Sequence, residues 1–248
     1  MITLGIDIGG SGVKGALVDI EKGELVSERV RIPTPKPSTP DAVIGVMKRI
    51  VDEFRYKGPL GVGIPGIVLH GVVKSAANID DDWIDFSGEK AIEFGTNCPT
   101  RLLNDADVAA IAEMRFGAGR DESGTVMIFT LGTGIGSAMF IDGVLVPNLE
   151  LGHVYLPGQQ IGQDAEFFAA DSARKREDLS WKKWGKRLDI YFNHIEFLFS
   201  PDLIIVGGGV SKKHEKFLKR IHTRAQIVPA KLRNEAGIIG AALAAVSR

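Results

Sequence analysis

Three glycine-rich turns, each directly after a predicted β-strand, constrain the fold of this chain more than any other feature. They are Gly9-Gly-Ser-Gly, Gly132-Thr-Gly-Ile-Gly and Gly207-Gly-Gly. Glycine lets backbone N–H groups converge without a Cβ in the way, so such turns can hold phosphate oxygens. Any one of them alone could be an ordinary hairpin turn. None matches the P-loop or the G-x-G-x-x-G of a Rossmann helix, which excludes both of those nucleotide sites.

The second half of the chain repeats the pattern of the first. With a shift of 123 residues, Ile8-Gly9 aligns with Leu131-Gly132, and Leu17-Val-Asp aligns with Phe140-Ile-Asp. A match this short also arises by chance. As a true duplication, it predicts an α/β fold of two similar lobes with a cleft between them. We expect an N-terminal lobe over residues 1–104, a C-terminal lobe over 105–235, and a closing helix over 236–248 that packs back on the first lobe.

Apolar spacing and turn residues predict the elements of each half. A hairpin opens the fold, and a proline-rich loop over 33–40 precedes an amphipathic helix. The further predictions are strands at 60–68, 101–104 and 203–206 and helices at 105–117, 164–199, 212–225 and 237–246.

Composition excludes several classes of protein. The only cysteine is Cys98, so the chain can form no internal disulfide and no cysteine-based metal cage, as in a reducing cytosol. The N-terminal segment lacks the basic and long apolar regions of a signal peptide, and no run of 18 apolar residues exists. We expect a cytoplasmic protein with no membrane contact.

The net charge of −1 hides an uneven distribution. Between Asp171 and Arg233 the chain has 15 Lys and Arg against 7 Asp and Glu, an excess of +8, which leaves −9 for the remainder. A basic lobe on an acidic protein suggests a polyanionic or phosphorylated partner. Composition by itself favours the alternative, an ordinary solvated helical surface.

Two charged residues flank the first glycine turn. Asp7 ends the first strand, where a carboxylate beside bound phosphates makes sense chiefly as a ligand of Mg²⁺ or of its water. The alternative is a carboxylate that caps the turn. Lys14 lies one strand position past the turn and could neutralise a transferred phosphoryl group or be an exposed strand lysine.

Two further motifs have the residue types needed for phosphoryl transfer to a sugar. Asn104-Asp105 stands where a strand meets a helix, so one residue can cap the helix while the Asp105 carboxylate accepts a proton from an attacking hydroxyl. A plain N-cap is the alternative. Glu150-Leu-Gly-His153 pairs a carboxylate with an imidazole, which suits neighbouring sugar hydroxyls. Zinc is disfavoured because His70, His194, His214 and His222 lie on unrelated segments.

With these motifs the chain resembles the ROK group of sugar kinases within the actin-like ATPase (ribonuclease H-like) fold, and within that group the polyphosphate glucokinases. The resemblance covers nearly the whole chain. Besides the glycine turns, Asn104-Asp105 and Glu150-Leu-Gly-His, it rests on Val62-Gly-Ile-Pro-Gly, Ser180-Trp-Lys-Lys-Trp, Pro201-Asp-Leu-Ile-Ile-Val and Val228-Pro-Ala-Lys-Leu-Arg-Asn-Glu-Ala-Gly.

The resemblance implies a role for each matching residue. Asp105 is the general base on the sugar 6-hydroxyl. The sugar-binding set is Asn104, Glu150, His153, Glu166 and Gly66, with Glu166 carried over from the similar run Glu166-Phe-Phe-Ala-Ala. The phosphate-binding set is Asp7, Gly9, Gly10, Ser11, Gly12, Lys14, Gly132, Thr133, Gly134, Gly136, Gly207, Gly208 and Gly209, with Mg²⁺ at Asp7.

Two departures from the wider ROK pattern narrow the expectation. Many members have a Cys-x-Cys-Gly-x-x-Gly-Cys zinc motif where this chain has Gly158-Gln-Gln-Ile-Gly-Gln, so we expect no zinc. The first hairpin begins at Ile2, which leaves no room for the helix-turn-helix of ROK repressors. We therefore expect no nucleic-acid partner.

We therefore expect a cytoplasmic glucokinase that uses Mg²⁺ to transfer a phosphoryl group from inorganic polyphosphate, and also from ATP, to glucose. The resemblance also implies a homodimer. A polyphosphate tail is expected to follow exposed lysines, namely Lys182, Lys183, Lys186, Lys212, Lys213 and Lys216. One alternative is a strictly ATP-dependent ROK glucokinase or mannokinase with adenosine at Gly207–Gly209. The other is a non-catalytic sugar- or polyanion-binding protein of the same fold.

Overall fold

A computed structural model describes residues 1–158 and 162–247. The chain forms two compact units, Met1–Phe116 with Glu235–Arg248, and Gly117–Asn234. The first unit thus includes the helix that starts at Asp105, whereas the sequence put the boundary before it. The middle of the Gly158–Gln163 segment lies outside the described residues.

The first unit is built on a mixed sheet covered by helices. The strand order is β3-β2-β1-β5-β8, and β4 also pairs with β2. These strands are β1 (Ile2–Gly9), β2 (Gly12–Asp19), β3 (Glu24–Leu25), β4 (Val30–Ile32), β5 (Leu60–Ile64) and β8 (Thr100–Asn104), with a separate hairpin of β6 (Val68–Leu69) and β7 (Val72–Val73). The helices are α1 (Pro40–Glu53), α2 (Gly88–Thr96), α3 (Asp105–Phe116) and α7 (Ala236–Ala244), with a 3-10 turn at Asp81–Trp83.

Alternation along β1 and the helical spacing of α1 form the first core. Leu4, Ile6 and Ile8 are fully buried, and they pack in one cluster with Met47 and Ile50 of α1. Helix α1 begins at Pro40, whose missing N–H costs nothing at the first helical position. The predicted opening hairpin and first helix are confirmed.

Helices α3 and α7 belong to the first unit because glycines let their backbones approach it closely. A Cβ at Gly61 of β5 would lie 1.6 Å from the carbonyl oxygen of Ala241 in α7. A Cβ at Gly240 of α7 would lie 1.5 Å from the carbonyl oxygen of Val108 in α3. Real Cβ atoms do not come this close, so α7 joins β5 to α3 through positions where only glycine fits.

The second unit repeats the arrangement of the first. Its sheet order is β11-β10-β9-β12-β13. In both units an antiparallel hairpin (β1 with β2, β9 with β10) is followed by parallel strands on the other side of the first hairpin strand. The strands are β9 (Thr125–Leu131), β10 (Ile135–Ile141), β11 (Val144–Val146), β12 (Leu203–Gly207) and β13 (Gln226–Pro229).

Aromatic side chains form the core between this sheet and its longest helix. The helices of the unit are α4 (Ala165–Ala169), α5 (Asp171–Arg176) and α6 (Trp181–Phe199), with 3-10 segments at Leu151–His153, Gly209–Lys216 and Leu218–Arg220. Phe129 of β9 packs edge-on against Tyr191 and Phe192 of α6, with ring centroids 5.8 and 5.2 Å away.

The predicted helix over 212–225 is wrong. The segment forms two 3-10 stretches, Gly209–Lys216 and Leu218–Arg220, and the first is broken at Lys213, which has non-helical backbone angles. The chain then extends into β13. Lys212 and Lys216 would be four residues apart on an α-helix, where like charges repel. Phe217 and Leu218 of the same segment are buried in the core. Among the described residues no helix is long and apolar enough to span a membrane.

Candidate active site

The first glycine turn is a tight hairpin held from both sides. Gly9 and Gly12 pair across the end of β1 and β2, which leaves only Gly10 and Ser11 in the loop. A Cβ at Gly10 would lie 2.9 Å from the carbonyl oxygen of Asn78. Arg31 of β4 donates from Nη2 to the carbonyl oxygen of Ser11 at 2.8 Å. The loop conformation therefore depends on Arg31 and Asn78, neither of which the sequence analysis singled out.

Asp7 and Lys14 face each other across this hairpin and form an ion pair. Lys14 Nζ lies 2.9 Å from Asp7 Oδ2, and the two side chains are 29% and 19% exposed. The lysine offsets the charge of the Asp7 carboxylate next to the glycine turn. Lys14 is thus not simply an exposed strand lysine.

The residues at this turn fit a magnesium ion that arrives with a phosphate donor. Mg²⁺ is commonly held by one or two carboxylates, substrate phosphates and water, rather than by a cage of protein ligands. Asp7 can supply one such carboxylate. In the part of the chain that the structure describes, no group of three or more His, Cys, Asp or Glu side chains could hold a metal ion.

Asn104 ends β8 and caps α3. Its Oδ1 accepts the backbone N–H groups of Ala106 at 2.8 Å and Asp107 at 3.3 Å, and its Nδ2 donates to the carbonyl oxygen of Gly66 at 3.2 Å. The capping interpretation is therefore correct for Asn104, and any bond to a sugar would come from its Nδ2 group. Gly66 is also constrained, since a Cβ there would lie 2.0 Å from the carbonyl oxygen of Ser75.

Asp105 is the first residue of α3 and is partly exposed. The first turn of a helix favours a negative charge. Asn104 acts as the cap, and the role of Asp105 as the proton acceptor stays a prediction.

In the second unit, the turn over Gly132–Gly136 is held by helix α5. Ser172 donates its backbone N–H to the carbonyl oxygen of Gly132 at 3.1 Å and its Oγ hydrogen to that of Thr133 at 2.6 Å. The N–H of Gly132 donates to the carbonyl oxygen of Gly134 at 3.0 Å, so this N–H already has a partner within the turn. Nothing in the sequence near Ser172 marks it as part of the turn.

Glu166 of α4 lies against the same turn. Its Oε2 accepts the N–H of Ile135 at 2.8 Å. A Cβ at Gly134 would lie 2.3 Å from this oxygen, and one at Gly152 would lie 3.2 Å from it. Glu166 thus connects the second glycine turn to the Glu150–His153 segment.

Glu150 and His153 flank a short 3-10 turn and have opposite electrostatic character. Burial raises the pKa of Glu150, and the nearby Glu166 carboxylate raises it further, while His153 opposes both. A hydrogen bond to Asp164 raises the pKa of His153, and the carboxylates of Glu166 and Glu150 act in the same direction. The pair can accept from one sugar hydroxyl and donate to another.

The third glycine cluster packs against the strand that leads into the second. Gly208 has a φ of +81°, and a Cβ there would lie 2.4 Å from the carbonyl oxygen of Leu131. Gly207 pairs with Thr130 of β9. Close backbone approach therefore accounts for Gly208 whether or not a ligand binds at the cluster.

A pocket of about 490 Å³ lies elsewhere in this unit, next to β13. Ser211, His214, Lys231 and Arg233 are among its lining residues, and none of the residues predicted to bind sugar is.

The two basic stretches of the second unit meet at one indole ring. The Nζ atoms of Lys213 and Lys216 lie 5.8 and 5.7 Å from the centre of the Trp181 ring, and the Arg174 guanidinium lies 4.2 Å from it. Trp181 begins α6, which also carries the exposed residues Lys182, Lys183 and Lys186. Sequence alone left open which stretch matters, and in the structure Arg174 of one stretch and Lys213 and Lys216 of the other lie beside the same ring.

Within the described residues, the six lysines of this surface form none of the ion pairs seen in the structure, whereas neighbouring basic residues do. Arg174 and Lys175 both contact Asp171, and Arg187 contacts Glu177. The arginines near α5 are thus engaged in holding the helices together, and the six lysines provide a net positive surface. We call these six residues the lysine surface.

The fold and these motifs define a ROK-family protein with an actin-like ATPase fold, and residues 3–167 match the ROK family model. The chain therefore belongs to the ROK family. It is 45% identical to the polyphosphate glucokinase of Mycobacterium tuberculosis (strain CDC 1551 / Oshkosh) over 98% of this chain and 91% of that protein.

Solved structures agree with this placement. The inorganic polyphosphate/ATP-glucomannokinase from Arthrobacter sp. strain KM is 47% identical over 98% of both chains, with a TM-score of 0.91. The ROK family glucokinase from Streptomyces griseus, solved with glucose and AMPPNP, is 25% identical over 98% of both chains, with a TM-score of 0.83.

Proposed function

We propose that this protein transfers the terminal phosphoryl group of inorganic polyphosphate, and also of ATP, to the 6-hydroxyl of glucose, giving glucose 6-phosphate. The observation that carries the proposal is the likeness, over nearly the full length of each chain, to a polyphosphate glucokinase and a polyphosphate/ATP-glucomannokinase. The capped α3 terminus with Asp105 at its first position supports it, because phosphoryl transfer to a hydroxyl needs a positioned carboxylate.

In this reaction Asp105 accepts the proton of the 6-hydroxyl as its oxygen attacks the terminal phosphorus. The bond from that phosphorus to the bridging oxygen breaks, and the donor leaves one phosphate shorter. Backbone N–H groups of the turns at Gly9–Gly12 and Gly132–Gly136, other than those of Gly132 and Ile135 that bond within the protein, bind donor oxygens. Lys14, which pairs with Asp7, adds a positive charge beside the first turn. Mg²⁺, held through Asp7, would neutralise charge on the transferred group.

Sugar recognition is assigned to Glu150, His153, Glu166 and the Nδ2 group of Asn104. Glu166 is held in place by Ile135, and Asn104 by the helix it caps. A sugar hydroxyl both donates and accepts hydrogen bonds. A neighbouring carboxylate can accept its hydrogen, and an imidazole N–H can donate to its oxygen.

The lysine surface is proposed to bind the part of a long polyphosphate that extends beyond the glycine turns. The Trp181 ring lies beside Lys213 and Lys216 of one basic stretch and beside Arg174 of the other. ATP has no such tail. A strictly ATP-dependent kinase would have no need for this surface, and this difference separates the two donor hypotheses. We further propose, from the family resemblance, a cytoplasmic homodimer.

The test is to incubate the purified full-length protein with glucose and Mg²⁺ and one donor at a time, and to assay glucose 6-phosphate. Activity with both donors is expected. Activity with ATP only would support the strictly ATP-dependent alternative. No activity with either donor, but binding of glucose or polyphosphate, would support a non-catalytic protein. The Asp105→Asn variant, prepared identically, controls for contaminating kinases.

A further inference from the structure

We infer that Asp164 is a positioning residue that fixes the orientation and tautomer of His153. This inference takes the sugar-binding role of His153 from the proposed function. Asp164 was not among the residues that the sequence motifs indicated.

The two oxygens of Asp164 serve two different partners. Oδ2 lies 2.7 Å from His153 Nδ1, and Oδ1 accepts the N–H of Phe167 at 2.9 Å as the N-cap of α4. The Asp164 side chain is 25% exposed and that of His153 is 60% exposed. One carboxylate therefore ties a largely exposed imidazole to the helix that carries Glu166.

This contact determines which ring nitrogen faces a ligand as an acceptor. An ionised carboxylate can only accept, so the hydrogen must be on His153 Nδ1. In neutral His153, Nε2 is then an acceptor for a sugar hydroxyl, and in the protonated ring it is a donor. Carboxylates of Asp164, Glu166 and Glu150 all favour the protonated ring, and in the second unit they are the charged groups that act on it.

Helix capping alone does not require aspartate at this position. Asn and Ser cap helices about as well as Asp does, but neither carries the charge that Nδ1–H faces. The backbone also joins the two segments independently, because Ala165 donates its N–H to the carbonyl oxygen of Val154 at 2.8 Å. Substitution of Asp164 can thus remove the imidazole contact without releasing the loop.

The experiment uses Asp164→Asn. The side-chain carbonyl oxygen of the introduced asparagine can still accept the N–H of Phe167. In that orientation its amide NH₂ group faces His153 Nδ1. Nδ1 must then accept, so the hydrogen moves to Nε2 and the protonated ring loses its charged partner. We expect the pKa of His153 to fall because its charged partner is lost, and KM for glucose to rise about tenfold, with kcat nearly unchanged.

The measurement is a ¹⁵N-histidine NMR titration of the full-length protein, which contains five histidines. The signal of His153 is identified by its loss in His153→Gln. The Asp164→Ser variant keeps a capping oxygen but removes the carboxylate, and the same fall in pKa is expected. Asp189→Asn is the matched control, since Asp189 Oδ1 lies 3.3 Å from Nδ1 of the distant His222.

The inference is overturned if His153 titrates identically in the wild type and in both Asp164 variants. A shifted titration with KM for glucose unchanged supports the positioning role of Asp164 but removes His153 from sugar binding. The failure of the inference and the failure of the proposed sugar role are therefore distinguishable.

Discussion

Glu166 and Gly134 are in such close contact that the glycine has no room for a side chain. A Cβ at Gly134 would lie 2.3 Å from Oε2 of Glu166, the same oxygen that accepts the N–H of Ile135. Gly132, two residues earlier, has no atom within 4 Å of the corresponding position. Gly134 is thus packed against Glu166, whereas the position of a Cβ at Gly132 is open.

The contrast predicts separate kinetic effects of two alanine substitutions. Gly134→Ala should displace Glu166 and raise KM for glucose about tenfold. Gly132→Ala should fill the space left for donor phosphates and raise KM for the donor instead. Gly45→Ala, in an open position on α1, is the control and should change neither constant. Equal effects of both turn variants on both substrates would contradict this assignment.

Asp105→Asn is expected to lower kcat by roughly 10²-fold or more, because it removes the base and keeps the hydrogen-bonding shape. KM for glucose should change little. Steady-state kinetics with either donor provide the measurement, and circular dichroism checks that α3 is retained. Turnover close to that of the wild type would show that Asp105 is not the base.

Glu150→Ala and His153→Ala should weaken sugar binding, with a cost of about 1 to 3 kcal/mol each for hydroxyls left without partners. The expected result is a higher KM for glucose with KM for the donor unchanged. If neither variant alters the sugar kinetics, the Glu150–His153 segment has only a structural role.

The pKa shift of His153 also predicts a pH dependence of stability. Its pKa is raised above the ordinary 6.5 by the hydrogen bond to Asp164. The contact therefore stabilises the folded state fully below about pH 6.5, and this contribution is lost as pH rises through the raised pKa. Urea denaturation of wild type and His153→Gln at several pH values should show a stability difference that shrinks as pH rises. A difference that grows with pH would contradict the assignment.

Replacing Lys212, Lys213 and Lys216 together with Ala should raise KM for long polyphosphate and flatten its salt dependence, because fewer cations remain to be screened. KM for ATP should stay nearly unchanged. The triple at Lys182, Lys183 and Lys186 is made in parallel, since both stretches border Trp181.

The control for these variants is a triple of exposed lysines in the first unit, Lys22, Lys57 and Lys90, which changes the net charge equally. It should affect neither donor. If neither triple variant of the lysine surface changes KM for polyphosphate relative to KM for ATP, the excess charge of +8 is an ordinary solvated surface.

Local patterns were sufficient for much of the fold. Alternating apolar residues marked the opening hairpin, and helical apolar spacing marked α1, although the helix includes Pro40, which the sequence assigned to the preceding loop. Asn104 was recognisable as a helix cap, because its side chain accepts hydrogen bonds from backbone N–H groups only two and three residues further along the chain. The repeated order of strand, glycine turn and strand predicted two similar sheets.

The sequence by itself thus indicated the opening hairpin, β8, β12, the start of β5, the glycine turns and the motif residues, since each depends on interactions between neighbours in the chain. Tertiary structure alone decided which distant residues hold them. Asp164 reaches His153 across 11 positions, Ser172 reaches Thr133 across 39, and Lys213 meets Trp181 from another segment. It also replaced the expected helix after Lys212 with 3-10 turns, in a segment where Phe217 and Leu218 are buried in the core.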